Sequence, residues 1–275
     1  MSPIRAMLLD FGGTLDADGV HWSTLYARAF AAAGLALERK DLDRAFLKSE
    51  DEFEAAPGVE SLDLDGHVAW QVHRILELLL QAGHLSGHCV EDLTGVVNGS
   101  PSPYDSGVQA ADTAQQAPDP RPLAPGSLDA ATARLTELAV QPMREALAVS
   151  RGLLGKYRER FTFAIVSNFT PNLHVILDKE GVAPLVDHVF CSSSVGLRKP
   201  DPEIFRLALG KLGMAPREVA MVGDSLTADI MPAKALGLTT CWIRGDRVFI
   251  KGDEGAADHE VSGLGQALKI CSTTE

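Results

Sequence analysis

The sequence predicts an α/β protein built on a parallel sheet, with a second, mainly helical unit inserted after the first strand. Three observations predict it. Apolar runs of strand length at Met7–Leu9, Phe163–Val166, His188–Cys191, Val219–Val222 and Thr239–Ile243 alternate with helix-like stretches, the pattern of parallel strands covered on both faces. Polar residues follow at strand ends: Asp10 after the first run, Ser167 after the second, Gly223 and Asp224 after the fourth. The gap from Asp10 to Phe163 is far longer than one crossover needs, so it holds an inserted unit.

Taken in order, the first run ends at Asp10, and the insert then shows helical spacing. Leu25, Ala29, Phe30 and Ala33 make one apolar stripe, and Val68, Val72, Ile75, Leu76, Leu79 and Leu80 make another. Residues 98–127 differ, with prolines at 101, 103, 118, 120, 122 and 125 and few large apolar side chains. That composition offsets little ordering entropy and predicts a flexible excursion. Helical pattern resumes near Leu128, and the return to the sheet falls near Met143. The expected division is therefore 1–16 and 144–275 for the sheet domain and 17–143 for the insert. In open parallel sheets ligands sit at the carboxyl ends of strands, so three separate segments converge on one crevice.

Composition narrows the function. The chain has 275 residues with 25 Lys+Arg against 37 Asp+Glu, a net charge of −12 and a pI near 5.1. That balance disfavours a nucleic-acid binder, which needs a basic surface. Hydrophobic residues make up 45 %, ordinary for a globular protein. No apolar run approaches the roughly 20 residues that span a bilayer, and the first residues lack a signal-peptide pattern, so the expected address is cytoplasmic, away from membranes. Cys89, Cys191, Cys241 and Cys271 show no CxxC spacing, and neither a structural disulfide nor a zinc site is expected.

Four short motifs carry the chemistry. Asp10-Phe11-Gly12-Gly13-Thr14-Leu15 resembles motif I of the haloacid dehalogenase-like (HAD) hydrolase superfamily. Ser167-Asn168, Lys199-Pro200 and the run Gly223-Asp224-Ser225-Leu226-Thr227-Ala228-Asp229 resemble motifs II, III and IV, in that order. Each alone has a plainer reading; GDSLTAD, for instance, would suit a turn and a capped helix. Their order and placement at strand ends favour a shared site. The resemblance covers 1–16 and about 144–275, where the closing segment ADHEVSGLGQAL also looks like the family's last elements. It implies a Rossmann-like three-layer core with an inserted helical cap.

The resemblance also implies roles. Asp10 would be the nucleophile, forming an aspartyl-phosphate that splits one hard hydrolysis into two easier steps. Magnesium would be held by Asp10, the carbonyl of Gly12 and Asp224, with Asp229 supporting it from behind these ligands or through water. Ser167, Asn168 and the amides of Gly12 and Gly13 would bind phosphate oxygens, Thr14 would orient the loop or touch the phosphate, and Lys199 would neutralise both the phosphate and Asp10. The substrate class is a small phosphorylated molecule. A cap in this family closes over the site, with hinges expected at Leu15–Gly19 and Val140–Ala146. Trp22, Tyr26, Trp70 and Arg74 are candidates to face the substrate, while a metal cluster of His84, His88 and Cys89 would need a fourth ligand.

One position departs from the pattern. The family's phosphatases carry a second aspartate two residues after the nucleophile to move a proton; here that residue is Gly12. Three explanations stand: another group (Asp16, Asp18, His21, His67 or His73) takes over, the leaving group needs no proton, or the chain is a phosphate-binding scaffold with retired catalysis. A metal-independent haloacid dehalogenase, whose halide leaves unprotonated, is the other enzymatic alternative. Asp224 and Asp229 speak against it.

Overall fold

The computed structural model describes residues 3–93, 123–245 and 255–273. By the density of their internal contacts these fall into two units, Met1–Leu25 with Glu54–Leu64 and Val140–Glu275, and Tyr26–Phe53 with Asp65–Ala139.

The first unit holds a six-stranded sheet. Its strands are β1 (Ala6–Leu9), β2 (Thr162–Ser167), β3 (His188–Cys191), β4 (Val219–Gly223), β5 (Thr239–Ile243) and β6 (His259–Val261), in the order β3-β2-β1-β4-β5-β6. All five pairings are parallel. Each of the five apolar runs is a strand, and β6 lies in the closing segment. β1 reads AMLL and is buried throughout, as a central parallel strand covered on both faces should be.

Alternation along the strands divides the core. Ala6, Leu8, Ala164, Val166, Val219 and Met221 join Ile204, Phe205, Ala208 and Leu209 of a helix at Pro202–Leu212. The opposite face carries Val222 and its register partner Cys241, whose sulfur lies 3.9 Å from that of Cys271 in the last helix, Leu264–Thr273. All four cysteines are free thiols. β1 lies between β2 and β4, so connections leave it in opposite directions and a crevice opens at its carboxyl end.

The second unit is helical where described. Its stretches come from helices at Trp22–Ala32, Arg39–Ala55, Leu64–Gln81, Gly87–Asp92 and Ser127–Tyr157, some of which run on into the first unit. The predicted stripe on the third is buried at Val68, Val72, Ile75, Leu76 and Leu79, with Leu80 half-buried. Tyr26 Oη donates to Gln71 Oε1 at 2.5 Å, Phe53 stacks on His67 with centroids 4.1 Å apart, and Arg74 pairs with Glu52 and Glu77. No described helix is long and apolar enough to cross a membrane.

The units divide the chain differently from the expected 17–143 insert. Residues 17–25 and 54–64 group with the sheet. Hydrogen bonds explain this: Leu264 N donates to Asp18 Oδ1, Trp22 Nε1 to Asp16 Oδ2, and Asn172 Nδ2 to Leu62 O. The return near Met143 falls inside a continuous helix, Ser127–Tyr157, with Pro142 in its interior, where one backbone hydrogen bond is lost. Of the excursion expected over 98–127, residues 98–122 lie outside the described residues.

Candidate active site

The strand ends place three groups at one crevice. Asp10 follows Leu9, the last residue of β1, and its N–H donates to Val222 O at 3.0 Å. Ser167 ends β2, and Asp224 follows Gly223, which ends β4. A cavity of about 170 Å³ opens there, lined by Asp10, Gly12, His21, Ser167, Asn168, Lys199, Asp224, Ser225, Ala228 and Asp229.

Lys199 reaches this cavity from the loop before the Pro202–Leu212 helix. Asn168 holds that loop by both ends of its amide: Nδ2 donates to Lys199 O and Lys199 N donates to Oδ1, each at 2.8 Å. The buried ammonium then donates to Asp10 Oδ1 at 2.7 Å and to Asp229 Oδ1 at 2.6 Å. Ser167 Oγ also donates to Asp10 Oδ1, at 2.9 Å. Two donors thus converge on one carboxylate oxygen of Asp10, and Oδ2 accepts from neither.

Asp229 sits in a turn at Leu226–Ile230 that Ser225 caps, its hydroxyl accepting from Ala228 N. Ser225 N donates to Asp229 Oδ2 at 3.0 Å, so both Asp229 oxygens are engaged. A β-carbon at Gly223 would stand 2.3 Å from Asp229 Oδ2, which requires glycine at the end of β4. Gly13 is required twice over, by φ of +80° and by Asp224 Oδ2, 2.8 Å from where its β-carbon would be. Trp242 Nε1 donates to Asp224 O and fixes that residue's backbone.

The electrostatics follow from burial. Asp10, Asp224 and Asp229 are all buried, with ligand oxygens within 4.8 Å of one another. Burial pushes Asp229 above the ordinary carboxylate range; Lys199 opposes the rise and Asp10 adds to it. Burial alone would lower Lys199, yet Asp10 and Asp229 outweigh it and hold the ammonium charged. Three carboxylates facing one ammonium leave excess negative charge in a buried pocket, and that donor set of hard oxygens fits a divalent cation such as magnesium.

Several predicted residues take other positions. Gly13 N–H donates to Asp16 Oδ1 at 2.7 Å, so this amide is engaged away from the cavity. Thr14 is buried with its hydroxyl unpartnered and does not line the cavity, because the chain turns tightly after Phe11, with Thr14 N and Leu15 N both donating to Phe11 O. Asn168 lines the cavity, and its amide is engaged with the Lys199 backbone at both ends. Asp16 is fully buried and accepts from Gly13 N and Trp22 Nε1; burial pushes its carboxyl up to about 8 against those two bonds. Of the proposed substrate-facing side chains, Trp22 is held by Asp16, Tyr26 by Gln71, Trp70 packs edge-on against Phe53, and Arg74 is in ion pairs. His84 pairs with Asp41 and His88 with Asp92. Among the described residues, the metal-capable group found is Asp10, Asp224 and Asp229.

Three cavity residues, His21, Ser225 and Ala228, were not among the predicted ligands. Ser225 could have been found from its place beside Asp224. His21 carries no spacing signal; a fold-back of the loop brings it to the cavity.

Comparison with known proteins bears on the family and the fold. A family description of haloacid dehalogenase-like hydrolases matches residues 4–237. A phosphoserine phosphatase of Thermus thermophilus is 38 % identical over 87 residues, 31 % of this chain and 35 % of its own length. A glyceraldehyde 3-phosphate phosphatase of Pyrococcus furiosus is 31 % identical over 133 residues, 46 % of this chain and 55 % of its own. The chain thus spans about a third to a half of these relatives' length. A solved dehalogenase covers 99 % of both chains with a TM-score of 0.58 at 17 % identity, a likeness of fold.

Proposed function

This chain belongs to the haloacid dehalogenase-like hydrolases, and on that footing we propose that it is a magnesium-dependent phosphatase of small phosphorylated molecules, with Asp10 as nucleophile. The observation that carries the reading is the buried triad of Asp10, Asp224 and Asp229 around the single ammonium of Lys199. The phosphatase names of the two curated relatives support it.

Asp10, the Gly12 carbonyl and Asp224 would hold magnesium, with Asp229 behind them. When bound, the ion supplies positive charge against the phosphate oxygens and lowers their repulsion of a carboxylate. The chain's own groups do the rest. Lys199 and Ser167 fix Asp10 through Oδ1, leaving the other oxygen to attack phosphorus. Lys199 then faces the charge that spreads over the phosphoryl group, Ser167 offers a hydroxyl to it, and Asn168 keeps Lys199 in reach. Water cleaves the resulting aspartyl-phosphate at phosphorus and returns the Asp10 carboxylate.

Gly12 favours a second reading, dehalogenation, in which no leaving-group proton is needed. The unbalanced negative charge speaks for the phosphatase, since the attack on a haloacid gains nothing from a cation site. The test is p-nitrophenyl phosphate hydrolysis with magnesium and with EDTA, with Asp10→Asn as blank. Turnover that needs both magnesium and Asp10 is expected. Turnover that survives EDTA, or halide release from 2-haloacids in its place, would sink the proposal.

A further inference from the structure

We infer that His21 performs the proton exchange that Gly12 cannot, giving a proton to the leaving-group oxygen and recovering one from the attacking water. This rests on the phosphatase reading above. The juxtaposition that carries it is His21 and Gly12 on the wall of one cavity with Asp10.

The loop after motif I explains how His21 comes to be there. Gly19 N–H donates to Gly13 O at 2.5 Å and closes residues 13–19 into a fold-back, so the chain returns beside motif I at residue 20. Trp22, the next residue but one, confirms the return: its Nε1 lies 4.0 Å from where a Gly12 β-carbon would stand. The segment around His21 therefore runs beside position 12, and His21 lines the same cavity. The two acids on the same loop are directed elsewhere. Asp16 is fully buried with each oxygen accepting a hydrogen bond, and Asp18 caps the last helix through Leu264 N.

Ser23 holds the imidazole in either protonation state. Its N–H lies 3.2 Å from His21 Nδ1 and donates to it when the ring is neutral. Its hydroxyl, 3.1 Å from the same nitrogen, can accept from Nδ1–H when the ring is an imidazolium. With Nδ1 anchored this way, proton exchange is assigned to Nε2.

The step balances. An Asp10 oxygen bonds to phosphorus, the bond from phosphorus to the leaving oxygen breaks with its electron pair, and the imidazolium passes its Nε2 proton to that oxygen. The products are an alcohol, the aspartyl-phosphate and a neutral ring. Water then adds to phosphorus, its proton goes to Nε2, and the bond from phosphorus to Asp10 breaks, which restores carboxylate and imidazolium and releases phosphate.

The experiment compares wild type with His21→Gln by rapid acid quench, on glycerol phosphate and on p-nitrophenyl phosphate, whose phenolate leaves without a proton. General acid–base help is worth roughly 10²–10⁴ in rate. Phosphoryl transfer from glycerol phosphate should fall by that factor in the variant, while the p-nitrophenol burst changes by less than about threefold. The variant should also accumulate acid-trapped phosphoenzyme, because its second step lacks a base. An equal loss on both substrates, or less than about a tenfold loss on glycerol phosphate, overturns the role of His21 alone. Absence of magnesium-dependent turnover in the wild type overturns the phosphatase reading and this inference with it.

Discussion

Replacing Lys199 by methionine removes the one ammonium from a pocket of three buried carboxylates while keeping most of the side-chain volume. Nζ lies 2.7 Å from Asp10 Oδ1 and 2.6 Å from Asp229 Oδ1. At an effective dielectric of about 20, each attraction is on the order of 6 kcal/mol. Burying the ammonium costs several kcal/mol in return, and breaking such a buried pair from one side typically costs about 3–5 kcal/mol, because the partner charges stay behind. For a domain of this size that is a fall in Tm of roughly 6–20 °C in EDTA. The sign with pH follows from Asp229, whose folded carboxyl is raised by burial and rises further once Lys199 is gone. Between its ordinary 3.8 and that raised value the folded chain binds more protons than the unfolded one, so the variant loses stability as pH increases. Melting curves at pH 5 and pH 7.5 should therefore show the wild type and Lys199→Met drawing apart at the higher pH. Magnesium should narrow the gap by supplying the missing positive charge, although catalysis stays lost. A variant as stable as wild type in EDTA at pH 7.5 would refute the charge argument, as would a gap that ignores magnesium.

Four other outcomes follow from the same geometry. Gly13→Ala forces a β-carbon to within 2.8 Å of Asp224 Oδ2 at φ of +80°, a strain of about 1–3 kcal/mol, and magnesium titrations of Tm should show weaker binding. Asn168→Ala strips both 2.8 Å bonds from the Lys199 backbone, at about 1–3 kcal/mol for each buried group left unpaired, so kcat should fall about 10- to 100-fold with little change in magnesium affinity. Magnesium at 100 times its Kd should stabilise the wild type by about 2.7 kcal/mol, a shift in Tm that EDTA reverses and Asp224→Asn abolishes. Gly12→Asp should raise alkyl-phosphate turnover most in the His21→Gln background, since the nearest atom to the new β-carbon is 4.0 Å away; no gain in that background would mean the missing proton is not what limits the variant.

The sheet was legible because buried parallel strands leave an unambiguous trace. Runs such as AMLL and VAMVG are apolar on both faces, and the polar residue that ends each run marks the edge where chemistry collects. The approximate positions of Asp10, Ser167, Lys199, Asp224 and Asp229 were legible from their motifs for the same reason. The hydrogen-bond partners of Asn168, Gly13 and Thr14 were not, because residue type and spacing do not say where a short polar group spends its hydrogen bonds. Asn168 satisfies Lys199's backbone, Gly13 N–H satisfies Asp16, and Thr14 is turned inward. The unit boundaries were missed for a related reason: residues 17–25 and 54–64 belong with the sheet through long-range hydrogen bonds that leave no local periodicity.

The loop from Phe11 to Trp22 shows why a glycine can stand at position 12. Asp16 joins its two ends, accepting Gly13 N–H with one oxygen and Trp22 Nε1 with the other, and Gly19 closes on Gly13. Full burial pushes the Asp16 carboxyl up to about 8, so its charge is disfavoured and the two hydrogen bonds are what keep it in place. A carboxyl group so placed cannot serve the substrate, but it can hold the segment that does. The family's phosphatases put the proton carrier on the backbone two residues from the nucleophile; this loop instead delivers a side chain from nine residues further on and leaves Gly12 with its carbonyl alone. The carrier's reach is then set by the geometry of the whole fold-back. Loosening the Asp16 to Trp22 bond should therefore cost catalysis through the displacement of His21, without touching the carboxylates that would hold the metal.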